Sequence, residues 1–210
     1  MRKKRALLHE DSRWLPFCES YAGDLVRFQV EVLEMRPTPQ QIQLFRSVAP
    51  SRSMVSVASG HGTGKTTSIA AIVLWHLLCY PQSITLLTAN DMAQLKATLW
   101  KEIGLAVERM RRGPFGWLAD HIEILSNGVM RIIGFKDTWF VESKTANEKT
   151  ANKMAGRHGK WLMIIGDEAS TLPDTVVTTL RGALTEEHNR MLLTSQPTRN
   201  TGFFFRTHHD

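Results

Sequence analysis

The chain has 210 residues, of which 42% are hydrophobic and 22% charged, and it carries a formal net charge of +6. These proportions fit one folded domain of ordinary size and exclude a disordered or low-complexity chain. The positive balance suits either a polyanionic partner such as nucleic acid or merely the surface of a basic domain. Cys18 and Cys79 show no metal-ligand spacing and read as free thiols of a reducing compartment. The longest apolar run, Ile69 to Tyr80, is too short for a bilayer, and MRKKRALLHED has only Ala6, Leu7 and Leu8 before charge resumes. A soluble intracellular protein without a signal peptide is the expectation.

Along the chain, residues 20–35 place Leu25, Phe28, Val32 and Met35 at helical spacing, with Pro37 and Pro39 as the stop. Thr38 can cap a second helix through QQIQLFRSVA, closed by Pro50. This gives a helical segment over 1–50. SMVSVAS then reads as a strand, a helix runs from Gly64 to Cys79, and SITLLTA is a second strand leading into MAQLKATLWKEIGLAVERMRR, broken by RRGPFG. HIEIL and VMRIIGF flank Asn127-Gly128 as a hairpin. Residues 143–160 are polar, rich in Lys and Arg, and without a strong period. They read as a basic loop, either near a polyanion or simply solvated. WLMIIGDE is a buried strand, PDTVVTTLRGAL a helix and NRMLLTSQP a last buried strand. Apolar strands alternating with helices predict an α/β fold with a mostly parallel central sheet flanked by helices, over 51–210.

Between the first strand and its helix lies SGHGTGKTT. Glycines let a backbone curl with its amides inward, and the helix N-terminus adds further amides and a positive dipole end. Gly60, Gly62 and Gly64 supply that freedom, so Ser59, Gly60, His61, Gly62, Thr63, Gly64, Lys65, Thr66 and Thr67 form a candidate phosphate site. Lys65 can reach β- and γ-phosphates and Thr66 can ligate Mg²⁺, which makes ATP and Mg²⁺ the expected cofactors. A dinucleotide loop does not fit, because Lys65 occupies its third glycine position.

Asp167 and Glu168 stand just past the apolar strand LMIIG, at the sheet edge where ligands bind. Asp167 would hold the Mg²⁺ shell and Glu168 would polarise the attacking water, with Lys65 as its catalytic partner. The alternative is an acidic helix cap. Thr194, Ser195 and Gln196 end the last strand, either beside the γ-phosphate or as a plain turn into Pro197. In PTPQQ, Gln41 is either an adenine reader or an exposed glutamine at a helix start. His208, His209 and Asp210 are too few, at a chain end, for a metal site.

PTPQQ, SGHGTGKTT, LLTANDMAQ, AGRHGKWLMIIGDEAS and LRGALTEEHNRMLLTSQPTRNTGFFF, in this order, resemble the ATPase domain of the large terminase subunit of tailed bacteriophages. The resemblance covers the chain from about Pro37 to Phe205. It implies a P-loop NTPase fold of the ASCE, RecA/helicase-like kind, driving double-stranded DNA into a prohead. The implied partners are DNA, a portal protein, a small terminase subunit and copies of itself in a ring, in the cytoplasm of the bacterial host. By the same resemblance Lys65 and Thr66 hold phosphate and metal, Asp167 and Glu168 are metal-shell acid and catalytic glutamate, Gln41 reads adenine, and Thr194 to Gln196 couple hydrolysis to movement. Thr88 to Gln94 resemble a motif that lines the translocation face of helicase-like relatives.

His61 stands where some terminases carry an arginine, so a charge-stabilising arginine is expected from elsewhere, with Arg157 and Arg181 as candidates. The family's nuclease domain has no counterpart among these residues, so the core is expected to be truncated and without DNA cleavage. Two other readings remain: a superfamily-2 helicase-like DNA-dependent ATPase, and a nucleotide-binding fragment inactive on its own.

Overall fold

The computed structural model describes residues 6–209. Residues 1–5 and Asp210 lie outside it, and with them part of the basic opening and one member of the terminal His-His-Asp group. A 3-10 turn (Leu8–Glu10) leads into α1 (Trp14–Tyr21). Next comes α2 (Leu25–Arg27), continued by a π turn (Phe28–Val32), and then α3 (Pro39–Val48).

The single helix expected over 20–35 is thus two pieces. The chain breaks around Gly23, and Asp24 starts the second piece by accepting from the Arg27 backbone N–H at 2.9 Å. Helical structure stops at Val32, before the prolines, and Glu34 turns the chain with φ 52°. The start of α3 follows expectation. Thr38 Oγ1 accepts from the Gln41 N–H at 3.3 Å while Gln41 Oε1 accepts from the Thr38 N–H at 2.9 Å, a capping box.

The rest alternates strands and helices: β1 (Met54–Ala58), α4 (Lys65–Cys79), β2 (Ile84–Ala89), and α5 (Met92–Leu95), which passes through a π turn (Lys96–Trp100) into α6 (Lys101–Arg112). Then follow α7 (Gly116–Ala119), β3 (Ile122–Leu125), β4 (Val129–Ile132), β5 (Phe140–Thr145) and α8 (Glu148–Ala155). The chain continues through β6 (Leu162–Asp167), a 3-10 turn (Ala169–Thr171), α9 (Asp174–Gly182), β7 (Arg190–Ser195) and α10 (Phe203–His209).

Seven strands form one sheet in the order β1-β7-β6-β2-β5-β4-β3. The pairings from β1 to β5 are parallel, and β4 with β3 adds the antiparallel hairpin expected at Asn127-Gly128. Neighbouring residues on each strand enter opposite cores, as strand alternation demands. Leu87, Ile165 and Leu192 pack with α1 through α6, whereas Leu86, Ile164 and Leu193 pack with α8, α9 and Phe204 of α10. The helices that precede β1 therefore share the core of α4.

Residues 143–160 are corrected by the structure. Up to Ala155 they are not a loop but the end of an interior strand, β5, followed by α8, which Asn147 caps by accepting from the Thr150 N–H at 3.0 Å; residues 156–160 do form a loop. The polar sequence hid them because α8 buries only Ala151 and Met154, and β5 takes its buried residues largely from Phe140 and Val141 just upstream. Two further helices, α7 and α10, were not expected either. α10 is held at its start by Asp174, whose Oδ1 accepts from the Phe203 N–H at 2.7 Å.

α4 carries the phosphate loop at its N-terminus and is buried from Ser68 to Cys79. A buried helix end leaves carbonyls that water cannot reach. Here side chains reach them: Ser83 Oγ donates to His76 O at 2.8 Å, Trp139 Nε1 to Leu77 O at 2.7 Å and Trp14 Nε1 to Leu78 O at 2.8 Å. Three of the last four carbonyls are thus satisfied from outside the helix, which anchors the element that presents the loop.

Candidate nucleotide site

The loop between β1 and α4 bends as its glycines permit. Gly62 and Gly64 have φ of 70° and 80°, a left-handed region costly for any residue with a Cβ. Gly64 forms the N-cap of α4, and a Cβ there would lie 2.7 Å from Gln41 Nε2. Ser59 starts the loop, and its N–H donates to Ser195 O at 3.0 Å, extending the β1–β7 pairing by one bond. Thr63 Oγ1 donates to Gly60 O at 3.2 Å across the turn.

Lys65 folds back on this loop. Its Nζ donates to Ser59 O at 3.0 Å and to Gly60 O. Among the described residues no carboxylate pairs with it, so its charge is met only by neutral carbonyls. A cation at a helix N-terminus with no counter-anion suits an anionic ligand. The neighbouring Thr67 Oγ1 instead donates to Glu102 Oε1 of α6 at 3.2 Å.

Opposite the loop, β6 ends in Asp167. Its Oδ1 accepts from Thr194 Oγ1 of β7 at 2.9 Å and from the Glu168 N–H at 3.0 Å. The register pairs Asp167 with Thr194 and Ala58 with Ser195, so the strand lying between loop and acid carries the hydroxyls toward both. Glu168 is left-handed (φ 54°, ψ 39°) and accepts from Gln94 Nε2 at 2.6 Å. A non-glycine residue in this conformation costs about 1–3 kcal/mol.

A cavity of about 570 Å³ lies between loop and acids. It is lined by His61 through Thr67, by Asp167 and Glu168, and by Ser195 and Gln196. These expected residues therefore converge. Five residues not expected here also line it: Gln94, Thr98, Ser170, Thr171 and Thr198. The Ser170 N–H donates to Ser195 Oγ at 3.1 Å, and Ser170 Oγ lies 2.8 Å from Thr198 Oγ1. The available signal was topological: parallel strands open their carboxyl ends onto one ligand crevice, and Gln94 follows the carboxyl end of β2.

Other expected residues sit elsewhere. Ser59 and Gly60 border an adjoining cavity with Gln196. Gln41 is buried with its amide spent on protein, donating to Gly64 O at 3.3 Å and Ser68 Oγ at 3.0 Å. Thr194 is fully buried behind Asp167. Arg157 lies 3.9 Å from a Glu142 carboxylate oxygen and over the Phe140 ring, beside the first residues of β2 and β5, at the opposite end of the sheet from Asp167. Arg181 lines a groove with Met54, Ser56 and His208. Neither arginine reaches the cavity of its own chain. In the segment 88–94, Gln94 faces the cavity and Asn90 Nδ2 donates to Thr171 O and Oγ1, each at 2.8 Å.

A mostly parallel sheet, a glycine loop at a helix start and two acids across a cavity define an α/β P-loop NTPase fold. No protein-family model matches the chain. In sequence it is similar to the "Probable terminase, large subunit" of Enterobacteria phage P7, with 32% identity over 203 residues, 95% of this chain and 40% of that protein. The chain thus spans about two fifths of that relative's length. In fold it is similar to the large terminase ATPase domain of Thermus phage P74-26 (TM-score 0.63, 17% identity, 84% of this chain and 71% of that one). It is also similar to the large terminase of another thermophilic bacteriophage (TM-score 0.54, 12% identity, 72% of this chain and 36% of that one). The resemblance to large terminase subunits carried by the motifs is borne out.

Proposed function

We propose that the chain is an ATP-hydrolysing module of a phage DNA-packaging motor, in which ATP turnover drives double-stranded DNA into a prohead. The observation that carries this reading is the convergence of Lys65, bonded to the carbonyls of its own glycine loop, with Asp167 and Glu168 across one cavity. The sequence similarity to a large terminase over nearly the whole chain gives the activity its direction.

The residues present suit ATP with Mg²⁺. Loop amides and Lys65 would take the β- and γ-phosphates, with Lys65 released from Ser59 O and Gly60 O to do so. Among the described residues no group of three His, Cys, Asp or Glu side chains could hold a metal. Thr66 and Asp167 would therefore share Mg²⁺ with phosphate and water oxygens, the usual arrangement for that ion. Bound there, Mg²⁺ would neutralise charge on the transferring phosphate. Glu168 would orient and deprotonate the attacking water.

Thr194, Ser195 and Gln196 join the acids to the loop through one strand, which suits them to carry the change at phosphate release. Gln41 would act by bracing Gly64 and Ser68, with adenine contact dependent on that bracing being given up. A charge-stabilising arginine would come from a neighbouring copy, for which Arg157 and Arg181 are candidates. Portal, small subunit, ring assembly and host cytoplasm follow from the same reading. No helix among the described residues is long and apolar enough to cross a membrane.

Equilibrium binding of ATP to wild type and Lys65→Ala, followed by turnover with and without double-stranded DNA, tests the proposal. Loss of binding in the variant and DNA-stimulated turnover in the wild type are expected. Equal binding by both proteins would overturn it.

A further inference from the structure

Among the loop residues expected to hold phosphate, one has its side chain committed elsewhere. Thr67 lines the cavity, yet its Oγ1 donates to Glu102 Oε1 of α6 at 3.2 Å. A hydroxyl has one hydrogen to give, and ionised phosphate oxygens only accept. While Glu102 holds that hydrogen, no ligand in the cavity can have it.

Glu102 reaches Thr67 because α6 runs beside α4 and shares its core, where Ile103 and Val107 are buried with Ile69 and Ile72. Four residues upstream, Thr98 lines the cavity itself, so this helical run turns polar side chains toward the site. Glu102 is half-buried, and among the described residues no Lys, Arg or His forms an ion pair with it. Thr67 is the third residue of α4, so the carboxylate lies at the first turn of that helix. The positive dipole end favours an anion there, whether it belongs to the chain or to a ligand.

Resting on the reading of the cavity as an ATP site, we propose that Glu102 sets its nucleotide affinity. Glu102 holds the Thr67 hydroxyl in the empty site, and a phosphate gains that donor only by taking it from the carboxylate. The exchange has a definite cost, because a hydrogen bond to a carboxylate is roughly twice as strong as one between neutral groups. Glu102 thereby weakens ATP and ADP alike. In an enzyme that must shed ADP in every cycle, weaker product binding shortens a step that often limits turnover.

The test compares wild type, Glu102→Met, Thr67→Val and the double variant for ATP and ADP dissociation constants, and for melting temperature without nucleotide. Methionine keeps the length of Glu102 and removes its acceptor; valine keeps the shape of Thr67 and removes its donor. Expected are roughly 3- to 10-fold tighter binding of both nucleotides by Glu102→Met, and a smaller gain when the same substitution is made in Thr67→Val. A merely structural role for Glu102 would instead lower affinity and melting temperature together. Unchanged or weaker binding by Glu102→Met would overturn the proposal. So would an equal gain in the two backgrounds, which would leave Glu102 acting without Thr67. Absence of ATP and ADP binding in wild type and Glu102→Met alike would instead overturn the reading of the cavity as an ATP site.

Discussion

Thr194 Oγ1 donates to Asp167 Oδ1 at 2.9 Å, so a hydroxyl on β7 holds the acid that ends β6. Thr194 is fully buried and its register partner is Asp167 itself. The acid is therefore tied to a strand that also pairs with the root of the phosphate loop.

Thr194→Val keeps the shape and removes the donor. A bond to a charged acceptor is worth about 1.5–3 kcal/mol, and the abandoned oxygen keeps the Glu168 N–H. Urea unfolding should show a loss of about 1–3 kcal/mol. A change within error would mean that the bond carries no weight.

Gln41→Ala separates bracing from base reading. With its amide bonded to Gly64 O and Ser68 Oγ, loss of the side chain should weaken ATP and GTP binding by the same factor. Loss of ATP preference alone, in a competition titration, would assign Gln41 to adenine. The capping box it completes should also cost about 1 kcal/mol of stability.

Gly64→Ala meets two penalties. Its φ of 80° costs an L-residue about 1–2 kcal/mol, and the new Cβ would fall 2.7 Å from Gln41 Nε2. Both act where the loop enters α4, so ATP affinity should fall along with the melting temperature. An unchanged affinity would show that the loop tolerates another path.

His76 predicts a pH dependence of stability. Burial first, and the nearby Arg190 charge second, push its pKa well below the ordinary 6.5. The folded chain then binds fewer protons than the unfolded one below about pH 6.5. Stability is complete above that pH and declines as pH falls from it, by up to about 1.4 kcal/mol per unit for this one group. Urea unfolding between about pH 7.5 and 5.5 should show the decline, and His76→Gln should flatten it. An equal slope in both proteins would remove His76 as the cause.

Much of this was legible in the residues, because strong local signals and global fold agree there. Apolar strands, the glycine loop and the Thr38 capping box each fix their element with few neighbours. What escaped depends on neighbours. β5 and α8 carry too few apolar residues to show a period, and their place comes from pairing with β2 and packing on the second core. Gln94 and Thr198 reach the cavity only because strands distant in sequence end side by side. Arg157 looked near Asp167 in sequence, yet β6 runs between them and carries the two to opposite ends of the sheet.

The central claim is that Glu168 activates water at an ATP site built on Lys65. It is tested most directly by steady-state ATP turnover of wild type beside Glu168→Gln, with ATP binding measured on the same samples. The account predicts retained binding and a fall in turnover on the order of 100-fold or more. Equal turnover in the two proteins would contradict it.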